Sequence, residues 1–431
     1  MPRRVYKKQK KSITAIVLAA GKGVRMNSSA AKVLHEACGM PVIYYPLRLL
    51  TSLGQIKDII VVLGFKAEQV KKVVLGEFGK AKFSYQNKLN GSAKAVEASL
   101  KKIKRYSGHI LVMCADSSLL EKGVLKKAIS FHLSKKNDCT VLTKEVDSPH
   151  RLGRILRDQR GSFLKIKEEV DLTGALKGIK EVNTGIYLFK REALIKEIGN
   201  IKLNPRKKEY FLTDIIEIFK TKNYKVDAFK IAKESFFFSV NNPRDLIETE
   251  KVIRSYLIGM HIDRGVKFID PQTTFLGPKT LIGKDSVIYP FTFLENDVRI
   301  GNCCSVGPFA HIRPGTVIKN NSYIGNFTEL VRSKVASFVK LKHVSYLGDT
   351  EVEEGVNIGA GTIVANFDGR NKHKTFIKKN AFIGSDSILV APVKVGKSAF
   401  TAAGSVVTKN VKPKTIVAGV PARRLKERQN V

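Results

Sequence analysis

The sequence predicts a chain of class α/β plus all-β: a Rossmann-like, doubly wound α/β domain followed by a left-handed parallel β-helix. Three observations carry this reading. From Leu276 an aliphatic residue returns at every sixth position, through Ile282, Ile288, Leu294, Ile300, Val306, Ile312, Ile318 and Ile324 to Leu330. In the first half, short apolar runs alternate with helix-length segments. Between the halves, "PRDLIETEKVIRSYLIGM" (243–260) starts at a proline and spaces Leu246, Ile247, Ile253, Leu257 and Met260 near a helical period. The expected divisions are a basic extension at 1–12, the α/β domain at 13–242, a joining helix at 243–261 and the β-helix at 262–431.

In the α/β part, "ITAIVLAAGKGVRM" sets an apolar strand at 13–19 before a loop with Gly21 and Gly23, followed by Arg25; Lys32 opens the next segment. Glycines let backbone N–H groups approach phosphate oxygens, and the two cations stand where a polyphosphate would lie. The same pattern also suits a plain strand-to-helix turn, because the dinucleotide GxGxxG motif is not completed. Further strands are expected at 58–64, 109–116, 139–143 and 182–189, and that alternation indicates a doubly wound sheet. Asp116 ends one of them, where ligands of open α/β sheets bind; it suits either magnesium or a helix cap.

In the second half, a period of six with Gly, Asn, Asp and Pro between aliphatics excludes a helix and fits short strands joined by turns. Each repeat forms one side of a three-sided prism whose coils bury their aliphatics only by stacking. The register slips over 336–352, resumes at Val352, Ile358 and Val364, breaks at the insert "NFDGRNKHK" (366–374), and resumes at Ile377, Ile383, Leu389 and Val395. Such an insert becomes a loop on a corner, either a solvated turn or part of a site shared with a neighbouring copy.

Composition narrows the classes. The chain has 431 residues with 43% hydrophobic content, enough for two substantial cores. Five cysteines without a CxxC pair or a His-rich cluster fit a reducing, cytoplasmic setting and no structural zinc. The basic start is followed by too short an apolar run for a signal peptide or membrane span. A net charge of +38 implies attraction to anionic ligands, but no RNA-binding signature accompanies it, so no dedicated nucleic-acid partner is expected.

Taken together, "LAAGKGVRM…AKVLH", "VNTGIYLF", "YFLTDII", "SVNNP" and the hexapeptide half resemble the bifunctional bacterial enzymes that acetylate glucosamine 1-phosphate and then uridylylate the product. The resemblance spans about 13–410. It implies that Leu18, Ala19, Gly21, Arg25, Lys32, Gln86, Gly91 and Ser92 hold UTP. Gly153, Glu168, Asn183 and Asn241 would hold N-acetylglucosamine 1-phosphate, and Asp116 with Asn241 the Mg2+. In the β-helix it implies His343 as general base with Glu329 orienting its ring. Arg313, Tyr346, Asn357, Asn366 and Lys372 would bind glucosamine 1-phosphate, and Ala360, Ser385 and Ala403 would line the acetyl-CoA groove. A homotrimer and a product used in peptidoglycan and lipopolysaccharide synthesis are implied with it.

The chain departs from the family pattern in places. Tyr-Gly-Asp is "CAD" at 114–116, and the Gly-Thr-Gly/Ala-His-Ala stretch is "GSAKA" at 91–95. A family lysine is Val331, beside Arg332; the aromatic after Asn366 is Phe367 rather than Tyr; and the extended coenzyme-binding tail is missing. The alternatives are an enzyme with one activity, either acetyl transfer alone or another nucleotidyl transfer with a structural β-helix, and a basic scaffold that binds nucleic acid.

Overall fold

The computed structural model describes residues 12–103, 108–117, 119–147, 149 and 152–427, so the expected basic extension lies, Ser12 apart, outside the described residues. The chain divides between Thr249 and Glu250 into two compact units. That division falls inside a 20-residue helix, Pro243–Ile262, which spans the expected joining segment. No described helix is long and apolar enough to cross a membrane.

The first unit is built on a nine-stranded sheet. Its strands are β1 (Ile13–Ala19), β2 (Ile56–Leu63), β3 (Lys82–Tyr85), β4 (His109–Cys114), β5 (Cys139–Glu145), β6 (Arg154–Arg157), β7 (Phe163–Lys167), β8 (Glu181–Lys190) and β9 (Val226–Ile231). The central path runs β7-β6-β8-β4-β1-β2-β3, with β5 pairing β8 and β9 pairing β5. Strands β1 to β4 pair in parallel, as the alternation predicts. Ile13, Ala15 and Val17 enter one core and Ile16 the other, so β1 is apolar on both faces, which is the signature of a covered parallel sheet. Within this sheet β8 runs antiparallel to β4, β5 and β6, a direction that the alternation did not specify. Hydrophobic patterning reports burial and carries no strand direction.

The second unit is a prism of short parallel strands. Register partners lie 18 residues apart in its early coils, such as Phe275 with Phe293 and Leu281 with Arg299. The sixth-position aliphatics from Leu276 to Leu330 form one continuous interior with Val335, Leu341, Leu347, Val352, Ile358 and Val364. Corners recur with the same beat: Asp285, Phe291, Asp297, Cys303, Phe309, Gly315, Asn321 and Phe327 all have positive φ. A left-handed residue turns the chain between faces, and Asp, Asn and Gly tolerate it best.

The slip read over 336–352 has a simple cause. The step from Leu330 to Val335 is five residues, as is that from Leu347 to Val352, and the six-residue beat survives between them. Coils there pair 17 apart, Tyr323 with Lys340 and Lys334 with Glu351. The insert follows Val364 at the next passage of the same corner, so three consecutive coils depart from the repeat at one edge.

Candidate active sites

The first candidate site lies at the C-terminal ends of β1 and β4. Lys32 forms an ion pair with Asp116, and its Nζ is 3.4 Å from Asn241 Oδ1. Arg25 Nη2 donates to that same oxygen at 3.0 Å. Two hard oxygen donors therefore meet around one cationic group. Among the described residues no cluster of three or more His, Cys, Asp or Glu gathers for a metal. A two-donor site still suits Mg2+, which keeps several waters and shares substrate phosphates.

Beside this point, Gly91 opens the helix Ser92–Ser99 with φ +119, and a Cβ there would collide with the backbone of Tyr210. Gln86 Nε2 donates to the Gly91 carbonyl at 3.0 Å, and Ser92 Oγ accepts from Leu212 N–H at 2.9 Å. The expected uracil-region residues are thus held together as one loop. At Gly21 a side chain would meet nothing within 4 Å, so the loop is open at this point.

The expected sugar residues also converge. Asn183 N–H donates to the Gly153 carbonyl at 2.8 Å, and a Cβ on Gly153 would lie 3.7 Å from Glu168 Oε2. Glu168 is held by the Thr213 hydroxyl at 2.7 Å, and burial pushes its carboxyl above the usual range. Asn183 Nδ2 donates to Tyr187 Oη at 2.6 Å. Thr213 and Tyr187 are residues that sequence reading missed, although both lie inside the motifs "YFLTDII" and "VNTGIYLF". Two residues before Asp116, burial pushes the Cys114 thiol up to about 12, so the cysteine of "CAD" is a neutral thiol.

The second candidate site occupies the prism. His343 is exposed, and its Nδ1 is 3.2 Å from Asn326 Oδ1. An amide oxygen only accepts, so Nδ1 carries the proton and Nε2 presents its lone pair. The expectation that Glu329 orients this ring is corrected here. Strand register sets Asn326 beside His343 and Glu329 beside Tyr346, three residues further on, and Glu329 instead accepts from Arg313 Nη1 at 3.1 Å.

At the modified corner, Asn366 is buried and donates through Nδ2 to Asp349 Oδ2 at 2.6 Å. A Cβ on Gly348 would sit 2.5 Å from Asn366 Nδ2 and 2.8 Å from Tyr346 Oη, so only glycine leaves these two groups their place. The insert closes on itself: Asp368 accepts from the N–H groups of Asn371 and Arg370 and pairs with His373, which hold its carboxyl well below the usual range. Lys372 is exposed on this hairpin. Ala360, Ser385 and Ala403 stack on another corner, linked by Asp386 N–H to the Ala360 carbonyl and Gly404 N–H to the Ser385 carbonyl. Asn357, paired with Lys340 and Phe382, stands on a different face from Tyr346, so one chain does not gather the whole expected set.

Comparison with known proteins agrees with both halves. The nucleotidyl transferase family model matches residues 14–252, and the bacterial transferase hexapeptide model, of six repeats, matches 297–332. The bifunctional protein GlmU of Geobacillus sp. is 36% identical over 97% of this chain and 97% of its own length. That of Pelotomaculum thermopropionicum is 40% identical over 89% of this chain and 90% of its own, and that of Clostridium kluyveri 37% identical over 96% and 97%. With a nucleotidyl transferase sheet and a hexapeptide prism in one chain, and relatives matched from end to end, this protein belongs to the GlmU family of bifunctional proteins.

Proposed function

We infer that the chain is a bifunctional transferase of UDP-N-acetylglucosamine synthesis. The β-helix half transfers acetyl from acetyl-CoA to glucosamine 1-phosphate, and the α/β half transfers uridylyl from UTP to the product. The observation that carries this is the end-to-end likeness to GlmU proteins combined with two separate polar clusters, one in each unit.

In acetyl transfer, the sugar ammonium first gives one proton to solvent; the neutral amine then adds to the thioester carbonyl as His343 Nε2 takes a second proton from its nitrogen, which passes to the departing sulfur. The C–S bond then breaks and coenzyme A leaves as the thiol. Asn326 keeps the ring in the tautomer that does this. In uridylyl transfer, a phosphate oxygen of the sugar attacks the α-phosphorus of UTP in line, and the bond to the β-phosphate breaks to release pyrophosphate. Arg25 and Lys32 offset charge on the phosphates, while Glu168 and Asn183 position the sugar. We assign Asp116 and Asn241 as the residues that would hold Mg2+, whose charge would offset that developing on the phosphates.

We further assign the catalytic halves to 13–242 and 262–431, joined by 243–261, and place the enzyme in the cytoplasm, a reading supported by five free thiols. We propose a homotrimer. Phe291, Phe309 and Phe327 form a stack along one corner with centroids 4.9 and 5.1 Å apart, each ring about half exposed. A neighbouring copy would cover this apolar stripe and bring separated site residues together. Sedimentation showing an active monomer overturns that assembly.

Purified protein given glucosamine 1-phosphate and acetyl-CoA is expected to release coenzyme A, and to release pyrophosphate once UTP and magnesium are added. Coenzyme A release without pyrophosphate leaves only the acetyl activity. Pyrophosphate release from supplied N-acetylglucosamine 1-phosphate without acetyl transfer leaves only the uridylyl activity.

A further inference from the structure

We propose that Arg332 reads the phosphate of the amino-sugar substrate at the acetyl-transfer site, with Asp349 as its positioning residue. This rests on the acetyl-transfer reading above. The argument starts at the corner where three coils leave the repeat. Leu330 fills the interior and Val331 is buried outside that cluster, while Arg332, with φ +47, stands exposed at the corner itself. Its Nε and Nη2 donate to Asp349 Oδ1 and Oδ2, each at 2.7 Å.

That bidentate grip uses one edge of the guanidinium and leaves Nη1, with its two N–H groups, outside the Asp349 pair on a side chain that is 42% exposed. An exposed Arg–Asp pair adds little stability by itself. Here it fixes a fork-shaped donor in one orientation, which is the form that suits phosphate.

The surroundings fit an amino-sugar phosphate. Asn366 Nδ2 holds the second Asp349 oxygen, and Tyr346 Oη lies across Gly348 from it. Arg332, Asn366 and the charge of Lys372 hold the Asp349 carboxyl below its usual range, so it stays ionised and neutralises only one of the two cations. A net positive charge therefore remains at the corner, beside uncharged groups able to bond sugar hydroxyls. The residue that carries the phosphate contact is thus one position along from the family lysine that this chain lacks.

The test uses the full-length protein and Arg332→Met. The Michaelis constant for glucosamine 1-phosphate is expected to rise on the order of 10- to 100-fold, with that for unphosphorylated glucosamine and for acetyl-CoA unchanged. Arg332→Lys, which keeps charge and loses the fork, should recover part of this, and Asp349→Asn should show a smaller rise. Equal changes for both sugars, or none, overturn the proposal, and a lowered melting temperature accompanied by equal changes identifies a structural staple. Calorimetric titration of glucosamine 1-phosphate, with UDP-N-acetylglucosamine filling the other site, needs no turnover. Wild-type binding lost in Arg332→Met supports the proposal even if acetyl transfer is absent; equal binding by both proteins, or by neither, overturns it.

Discussion

At the end of the parallel strands, Lys32, Asp116, Asn241 and Arg25 bond to one another within a single chain. On the prism, Tyr346 and Asn366 share one corner, while His343 is exposed beside Asn326 three residues earlier and Asn357 stands on a separate face. An open sheet delivers several strand ends and loops to one crevice. A solenoid delivers side chains in columns, each along its own edge, and a compact site needs either an insert or a second chain. The contrast teaches that the first site is stored closed on its own charges, whereas the second is stored open.

The largest expected effect sharpens the independence of the two sites. Asp116→Ala removes the only carboxylate assigned to the metal and should lower uridylyl transfer by several kcal/mol of transition-state stabilisation, about 10³-fold or more, while acetyl transfer is unchanged. Separate pyrophosphate and coenzyme A assays read this, and parallel losses would mean misfolding. In the opposite sense, His343→Ala should cost acetyl transfer on the order of 10²–10⁴ and spare uridylyl transfer. Unchanged acetylation would remove His343 from the chemistry.

A smaller effect tests whether Lys32 holds the place of the metal in the ligand-free state. Lys32→Met should tighten Mn2+ binding to the nucleotide-free protein several-fold, read by the loss of its free-ion EPR signal. The same variant should weaken UTP binding about tenfold, because a charged phosphate contact is gone. If both affinities fall together, the lysine is simply part of the metal's surroundings.

The smallest effect concerns the far end of β4. His132 is buried in the first unit, with its Nε2 3.0 Å from His109 Nδ1 and its Nδ1 2.9 Å from Thr140 Oγ1. Burial, reinforced by the neighbouring His109, pulls its pKa down to about 3. A folded value below the unfolded one means the stabilisation is complete above about pH 6.5 and is lost as pH falls towards 3. Between pH 7 and pH 5 the unfolding free energy of this unit should fall by about 2 kcal/mol on this account. Urea titrations should show that slope, and His132→Gln should flatten it.

Much of the fold is legible in the sequence because its cause is local. The sixth-position aliphatics fill the prism axis, and an apolar run such as "ITAIVLA" has no place except a doubly covered strand. What was not legible depends on corner length. The five-residue steps after Leu330 and Leu347 set Arg332, Asp349 and Asn366 in one column at 17-residue spacing, and Arg carries no signal for the left-handed conformation that Arg332 adopts there. Asn326 was missed for the same reason: its partnership with His343 exists only through coil register. In the α/β unit, the nucleotide loop was readable from its glycines, whereas Thr213 reaches Glu168 from 45 residues away.

The shortened and lengthened passages share one further consequence. The strands flanking that edge keep their pairing through coils of 17 residues and past the insert, as Lys334 with Glu351 and Thr350 with Thr375 show. Chain length is therefore a free variable at this edge, whereas the coils from Leu276 to Leu330 keep a six-residue step at every edge. Evolution can lengthen, shorten or replace the loop there without renumbering the scaffold, so this edge is the port through which one prism acquires new specificities, and the natural place to graft a binding loop by design.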